Sequence, residues 1–350
     1  MLFRSEVANC FQGRTKDYFG IGCDAVAASD AKEAGYPGFA GLGLPDDSDA
    51  DDPYIHHFPD GNASLARLLV RELIPSAAPG VTMEDIVLAP FDYDKLDGDG
   101  ATVRIRLDST CIHVANRDGG VDIGYVREGK VHRIAARHAV LACFNAMIPY
   151  LMPEFPKEQR EALALNVKAP LVYTKVLTRD WKAWANLGVH EITAPMGFHS
   201  RIKLDYPVRL GNYRHPREPS EPMCLHLVHV PGAAGLNARD QFRMGRQTLL
   251  ETTFDQFEAR IRDDLDRMLG AGGFASGRDI AAITVNRWSH GYAYTPSTLF
   301  DGDDFAPTIE TARKPLGRVA IANSDAQWNA YAHAAIDEAD RAVREVLAAN

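Results

Sequence analysis

Residues 317–331 read Gly-Arg-Val-Ala-Ile-Ala-Asn-Ser-Asp-Ala-Gln-Trp-Asn-Ala-Tyr, and the fold class turns on this run. Val319-Ala320-Ile321-Ala322 reads as a short apolar strand. Asn323-Ser324-Asp325 ends it, and a helix is expected to run on to about Leu347. The apolar stripe of that helix reads as Ala335, Ala339, Ala342, Val343, Val346 and Leu347. Asp337/Arg341 and Asp340/Arg344 stand four apart and are expected as exposed ion pairs. A helix start leaves N–H donors and a positive dipole end free, which suits an anionic group; Asp325 is positioned to cap it.

Working outward, Ala139-Val140-Leu141-Ala142 is an unalternating run, expected as a doubly covered parallel strand. From Thr102 the period is two: Val103, Ile105 and Leu107 alternate with Arg104 and Arg106, predicting a strand that resumes at Ile112 and Val114. Asp118-Gly119-Gly120 and Glu128-Gly129-Lys130 predict hairpin turns around Val121 to Val126. Upstream, Leu65, Leu68, Leu69 and Leu73 form the stripe of a helix capped by Asp60 or Asn62 and stopped by Pro75. Pro45 to Pro53 reads as a solvated acidic loop. Between Pro153 and Ile283 strands are expected at Leu171-Val172-Tyr173 and Leu225 to Val230, with one long amphipathic helix or two over Arg246 to Leu269.

The chain has 350 residues, about two domains' worth, with 47 acidic and 38 basic side chains and a net charge of −9. Hydrophobic residues at 46% supply a large core, which excludes a disordered or coiled-coil chain. The acidic balance argues against nucleic acid as a partner. Five scattered cysteines without a C-x-x-C pair argue against a disulfide framework and a zinc knuckle. The longest apolar stretch, Ala139 to Met152, is too short to span a bilayer. No apolar signal core opens the chain, and the compartment is left open.

Gly20-Ile-Gly22-Cys-Asp-Ala25 fits a phosphate-binding glycine pattern, but Arg14 to Phe19 before it is not a hydrophobic strand, so the reading is rejected. His226 and His229 would diverge across a strand and His56-His57 are adjacent, so no metal site is expected. No G-x-S-x-G elbow occurs. Trp288-Ser-His290-Gly291-Tyr292-Ala-Tyr294 gathers three aromatics and an imidazole around a glycine that permits close approach of a ligand. The same rings could equally bury area in a core.

In order, these pieces resemble flavin-dependent amine oxidoreductases, most closely the spermidine dehydrogenase-like flavoproteins. The matching stretches are Gly20 to Ala25, Gly35 to Gly43, His57 to Ser64, Arg137 to Tyr150, Asn286 to Tyr294 and Gly317 to Asp325. The resemblance implies an α/β fold in which an incomplete Rossmann-like FAD-binding domain (61–150 and 286–350) interleaves with an α+β substrate domain (1–60, the helical part, and 151–285). It implies FAD as cofactor, bound by Asn323, Ser324, Asp325, Ala332, Cys111, Ala142 and Cys143. Asp325 would bond the flavin ribityl chain. The Cys111 backbone would sit by the adenine, where relatives usually carry valine. Tyr331 matches the aromatic in front of the flavin, and one of Trp288, Tyr292 or Tyr294 would complete an aromatic cage. His290 would orient water or accept a proton, and Lys168 and Lys175 are candidates for a lysine over flavin N5.

The implied reaction is oxidation of an amine, with a polyamine such as spermidine as substrate, by hydride transfer to flavin N5. The family's opening strand and G-x-G-x-x-G turn have no counterpart here. The chain therefore reads as the C-terminal part of a longer enzyme, with the flavin-binding segment supplied in cis or in trans and little activity alone. A non-catalytic fragment, one subunit of a split flavoprotein, and a desaturase or isomerase of the same fold stand as alternatives.

Overall fold

The computed structural model describes residues 6–33, 35–44, 57–206, 208–297, 299–302 and 304–349; the acidic loop at Pro45 to Pro53 and His56 lie outside them. Helices α1 (Glu6–Arg14), α2 (Lys16–Phe19), α3 (Ala28–Glu33) and α4 (Asn62–Leu73) come first. Strands β1 (Ser109–Arg117), β2 (Gly120–Arg127), β3 (Lys130–Ala136) and β4 (Ala139–Leu141) follow, then helices α5 (Ile148–Leu151) and α6 (Lys157–Ala164). The middle runs β5 (Ala169–Thr178), α7 (Lys182–Leu187), β6 (Glu191–Thr193), β7 (Arg201–Leu204), β8 (Met223–His229), α8 (Ala238–Glu251), α9 (Phe254–Leu269), α10 (Ser276–Asp279) and β9 (Ile280–Tyr292). Helix α11 (Ala306–Arg313), strand β10 (Val319–Ile321) and helix α12 (Ala332–Ala348) close the chain.

β1, β2 and β3 form the expected antiparallel meander. Gly119 and Gly129 turn its hairpins at φ 71° and 72°, where a side chain would be strained. β4 leaves the meander and pairs in parallel with β10, Ala139 opposite Val319 through Leu141 opposite Ile321. The parallel character expected of β4 is present, but its double coverage is not, because Val140 is exposed, whereas β10 is buried along its whole length. Residues 103–107 are not a strand. Val103 and Ile105 do point inward, onto Ile74, Ala77 and Leu96, and Arg104 and Arg106 turn outward onto Asp97. The alternation is real, yet only Leu96 O, bonded by Ile105 N at 2.7 Å, lies within reach, and no neighbouring strand completes a ladder.

The third sheet has the order β6-β7-β8-β5-β9 with every pair antiparallel. Val172 and Val176 of β5, Ile202 and Leu204 of β7, and Leu225 and Leu227 of β8 pack on Phe257, Ile261 and Leu265 of α9. The opposite face carries Tyr173, Lys175, His226 and Lys203, as period-two alternation requires. The long helical stretch is two helices, beginning at Ala238, and Thr253 starts the second with a capping box to Gln256.

Two helices differ from their sequence reading. α4 follows Gly61 with no side-chain cap, Asp60 pairs instead with Arg67 at 3.7 Å, and Leu69 and Leu73 are exposed. α12 buries Ala334, Glu338 and Ala342, while Ile336, Val343 and Leu347 face outward. Small side chains let it lie close on Ala320 and Ala322, and Glu338 is anchored by Arg313 and Arg341. Arg341 thus serves Glu338 and Glu345 rather than Asp337; Asp340 does pair with Arg344.

Candidate functional site

The turn after β10 holds two non-glycine residues in left-handed conformation, Asn323 at φ 92° and Trp328 at φ 53°. Such strain persists where surroundings impose it. Here Asp325, 0% exposed, is the reason. Lys168 Nζ donates to its Oδ1 at 2.6 Å and the Asn145 backbone N–H to its Oδ2 at 3.1 Å. The side-chain amides of Asn145 and Asn166 donate to its carbonyl at 3.1 and 3.4 Å. The exit of β4, the segment before β5 and the turn after β10 are thereby tied to one buried ion pair, with Lys168 4% exposed. Lys168 Nζ also lies 4.6 Å from the Phe144 ring centroid, and Phe144 stacks on His290 at 5.6 Å.

This geometry corrects two expectations for Asp325. It caps no helix: α12 begins at Ala332, and the cap position is Tyr331, whose side chain makes no capping bond. Nor does it turn an oxygen outward, since both are taken within the chain. Asn323 and Ser324 bond each other beside it, the Ser324 hydroxyl donating to Asn323 Oδ1 at 3.0 Å. Cys111 and Cys143 are half-buried on the same side. Burial pushes the Cys143 thiol up to about 11, with smaller pushes from Cys111 and Asp325. Burial also lowers the His290 pKa; Arg246 and Lys168 reinforce that and Asp325 opposes it.

The aromatic segment is divided by the fold. Trp288 is exposed on β9, opposite Leu171. The Tyr292 hydroxyl lies 2.6 Å from that of Tyr173, and burial raises the Tyr173 pKa. Tyr294 is 1% exposed, donates to Asp301 at 2.7 Å, meets Trp328 edge-on and lies under Arg239 at 4.0 Å; it is held in the core and also belongs to the wall of the cavity that Tyr292 and Tyr331 line. Gly291 approaches protein rather than ligand, because a Cβ there would stand 2.4 Å from Leu171 Cδ2. Tyr331 is exposed and stacks on His333.

A cavity of about 530 Å³ brings Tyr331 and Tyr292 together with Asp17, Tyr18, Asp30 and Ser297. Neither Trp288 nor His290 lines it. Sequence reasoning missed Asp17 and Asp30: α2 and α3 are too short for periodicity, and the only available signal was the acid-aromatic run Asp17-Tyr18-Phe19. His226 and His229 diverge across β8 as expected; burial drives each imidazole pKa down to about 4.

The residues suit the ring end of a flavin. The start of α12 has no side-chain cap beside Tyr331, and Asn145 Oδ1 is buried in the Asp325 turn with no partner among the described residues. The diphosphate end has no counterpart: among the described residues no strand leads through a G-x-G-x-x-G turn into a helix.

No protein-family model matches the chain, and no curated protein does. Among solved structures it is similar to a variant of putrescine oxidase made in a redesign of cofactor binding. That match has a TM-score of 0.50 at 14% identity and covers 72% of this chain and 50% of that one. Cyclohexylamine oxidase from Brevibacterium oxydans matches with a TM-score of 0.41 at 15% identity over 67% of this chain and 47% of that one. The chain therefore has a mixed helix and sheet fold of the amine oxidase kind. It spans about half the length of the solved structures it matches.

Proposed function

We propose that the chain is part of an FAD-dependent oxidoreductase acting on an amine, with a polyamine such as spermidine as the candidate substrate. The observation that carries this reading is the wall shared by Tyr331, at the uncapped start of α12, and Tyr292, at the end of β9. Aromatic faces attract a residual cation yet cost little to desolvate, so this pair suits an amine nitrogen. When bound, the flavin accepts a hydride equivalent from the carbon beside that nitrogen. The positive end of α12 favours negative charge next to it. His290, stacked on Phe144 beside the Lys168–Asp325 pair, lies outside the cavity that Tyr331 and Tyr292 line and takes no part in holding the amine. Lys168 and Asp325 act as positioning residues, fixing the β4 exit against the turn that leads into α12.

A second unit is part of the reading. The outward face of α12, with Ile336, Val343 and Leu347, supports a covering strand–turn–helix segment that holds the diphosphate, in cis or in trans. Anaerobic addition of spermidine or putrescine to the flavin-loaded protein, with that segment supplied, tests the proposal. Bleaching of the flavin absorbance is the expected result, and bound flavin that no amine bleaches would overturn it.

A further inference from the structure

A second cavity, of about 540 Å³, lies between α1, residues 194–198 and α9. It shares no lining residue with the cavity beside Tyr331, and amine oxidation makes no use of it. α1 contributes Cys10 and lies close because Gly13 has no Cβ to collide with the Pro195 carbonyl. α9 presents Arg260, Asp264, Arg267 and Met268, at the i, i+4, i+7 and i+8 spacing of a single helical face. Arg260 and Asp264 stand one turn apart, where opposite charges ordinarily pair. Here they are kept from each other. The His199 ring donates from Nδ1 to Asp264 Oδ2 at 2.7 Å, and the His199 backbone N–H reaches the same oxygen at 3.3 Å. Arg260 lies over the Phe198 ring, 6.0 Å from its centroid, and meets no carboxylate among the described residues. Arg267 is shared with Asp263 at 3.6 Å, which leaves Arg260 as the open cation.

Burial supplies an independent observation. Asp264 is 5% exposed and lines the cavity, and among the described residues no donor reaches its Oδ1. His199 behind it is 0% exposed, and its Nε2 has no partner among the described residues. Buried polar groups are normally paired, so a carboxylate oxygen left open at the floor of a cavity is an acceptor for a donor from outside the chain. The rest of the wall is apolar, with Phe198 and two methionines, Met196 and Met268. Thioether side chains adapt to apolar groups of varied shape. A volume of about 540 Å³ is in the range that takes a small molecule.

We infer that this cavity binds a zwitterionic α-amino acid with an apolar side chain. The ligand carboxylate pairs with Arg260, its ammonium with Asp264 Oδ1, and its side chain lies against the two methionines. A cation and an anion held one helical turn apart, about 5.4 Å along the axis, match a ligand that carries both charges on neighbouring carbons. His199 acts as a positioning residue, because it holds the Asp264 carboxylate away from Arg260.

Calorimetric titration of the purified protein with L-leucine and L-methionine tests the site without turnover. N-acetyl-L-leucine, which lacks the ammonium, and isopentylamine, which lacks the carboxylate, serve as competitors. Each should displace leucine about tenfold less well than methionine does, since each forfeits one charge-assisted contact. Arg260→Ala, a change on an exposed side chain, should weaken leucine about tenfold, and Arg260→Lys should recover part of the loss. Asp264→Asn should weaken it as well, whereas Tyr331→Ala, in the other cavity, should leave it unchanged. Leucine affinity that survives both charge variants, or that Tyr331→Ala abolishes, overturns the site. So does failure of both amino acids to bind, or competition by the two truncated compounds as strong as that by methionine. Each of those results leaves amine oxidation standing.

Discussion

The five-stranded sheet and the β4–β10 pair bury their apolar residues to very different degrees. Val172, Val176, Leu225 and Leu227 are sealed under Ile261 and Leu265 of α9. Around β4 and β10 the inner strand is just as buried, but Val140 beside it is exposed, and the α12 helix packed there turns Leu347 outward at 66% exposure. Leu69 and Leu73 of α4 are exposed as well. The five-stranded sheet covers one face with α9, whereas the β4–β10 region leaves Val140, Val343 and Leu347 open to solvent.

The comparison can be broken at its firmest point. The Lys168–Asp325 pair holds the open region together, and removing one partner leaves an uncompensated buried charge. Lys168→Met should cost about 3–5 kcal/mol in urea unfolding, and Lys168→Met with Asp325→Leu should recover much of it. A single variant within about 1 kcal/mol of the parent would mean the pair does not anchor the turn.

Slightly smaller effects are expected in the closed region. Ile261→Ala and Leu225→Ala should each cost about 2–5 kcal/mol, because both sites lie in a packed core that cannot collapse onto the void.

The closed region should also respond to acid. His226 and His229 sit on β8 with pKa values near 4, below the usual 6.5, so the folded protein resists their protonation. Their stabilising contribution is full above about pH 6.5 and is lost as pH falls towards 4. Each histidine accounts for at most about 1.4 kcal/mol per pH unit in that window. His226→Gln should flatten the unfolding free energy measured between those limits.

The smallest effects belong to the open face. Val343→Ser and Ile336→Ser should change the stability of the chain by less than about 0.5 kcal/mol, since both side chains already meet water. The same substitutions should weaken capture of a complementing strand–turn–helix segment, measured by co-purification. A large loss of stability without any such segment would contradict the exposed placement.

Much of the secondary structure was legible because its causes are local. Gly119 and Gly129 mark hairpins by their backbone freedom, and the unalternating run at 139–141 marked a parallel strand, whose partner at 319–321 only the fold shows. The alternation at 103–107 was equally local, but a strand needs a neighbour to complete its ladder, and a sequence window does not show one. The site divides in the same way. The 288–294 segment was visible as an unusual cluster of rings, and Tyr331 only through the resemblance, yet which ring is core and which is open depended on Asp301, Arg239 and Trp328.

By itself the amino-acid order determined the turns, most of the strands, a helical stretch over Arg246 to Leu269 and the acidic, aromatic character of the chain, because each follows from spacing within a few residues. Tertiary structure alone decided that Asp325 is sealed by Lys168, 157 positions away, that α12 turns Val343 and Leu347 outward while burying Ala342, and that Asp17 and Asp30 share a wall with Tyr331. Burial, ion pairing and the shape of a cavity are set by whatever chain segment arrives from a distance, and no local pattern carries that information.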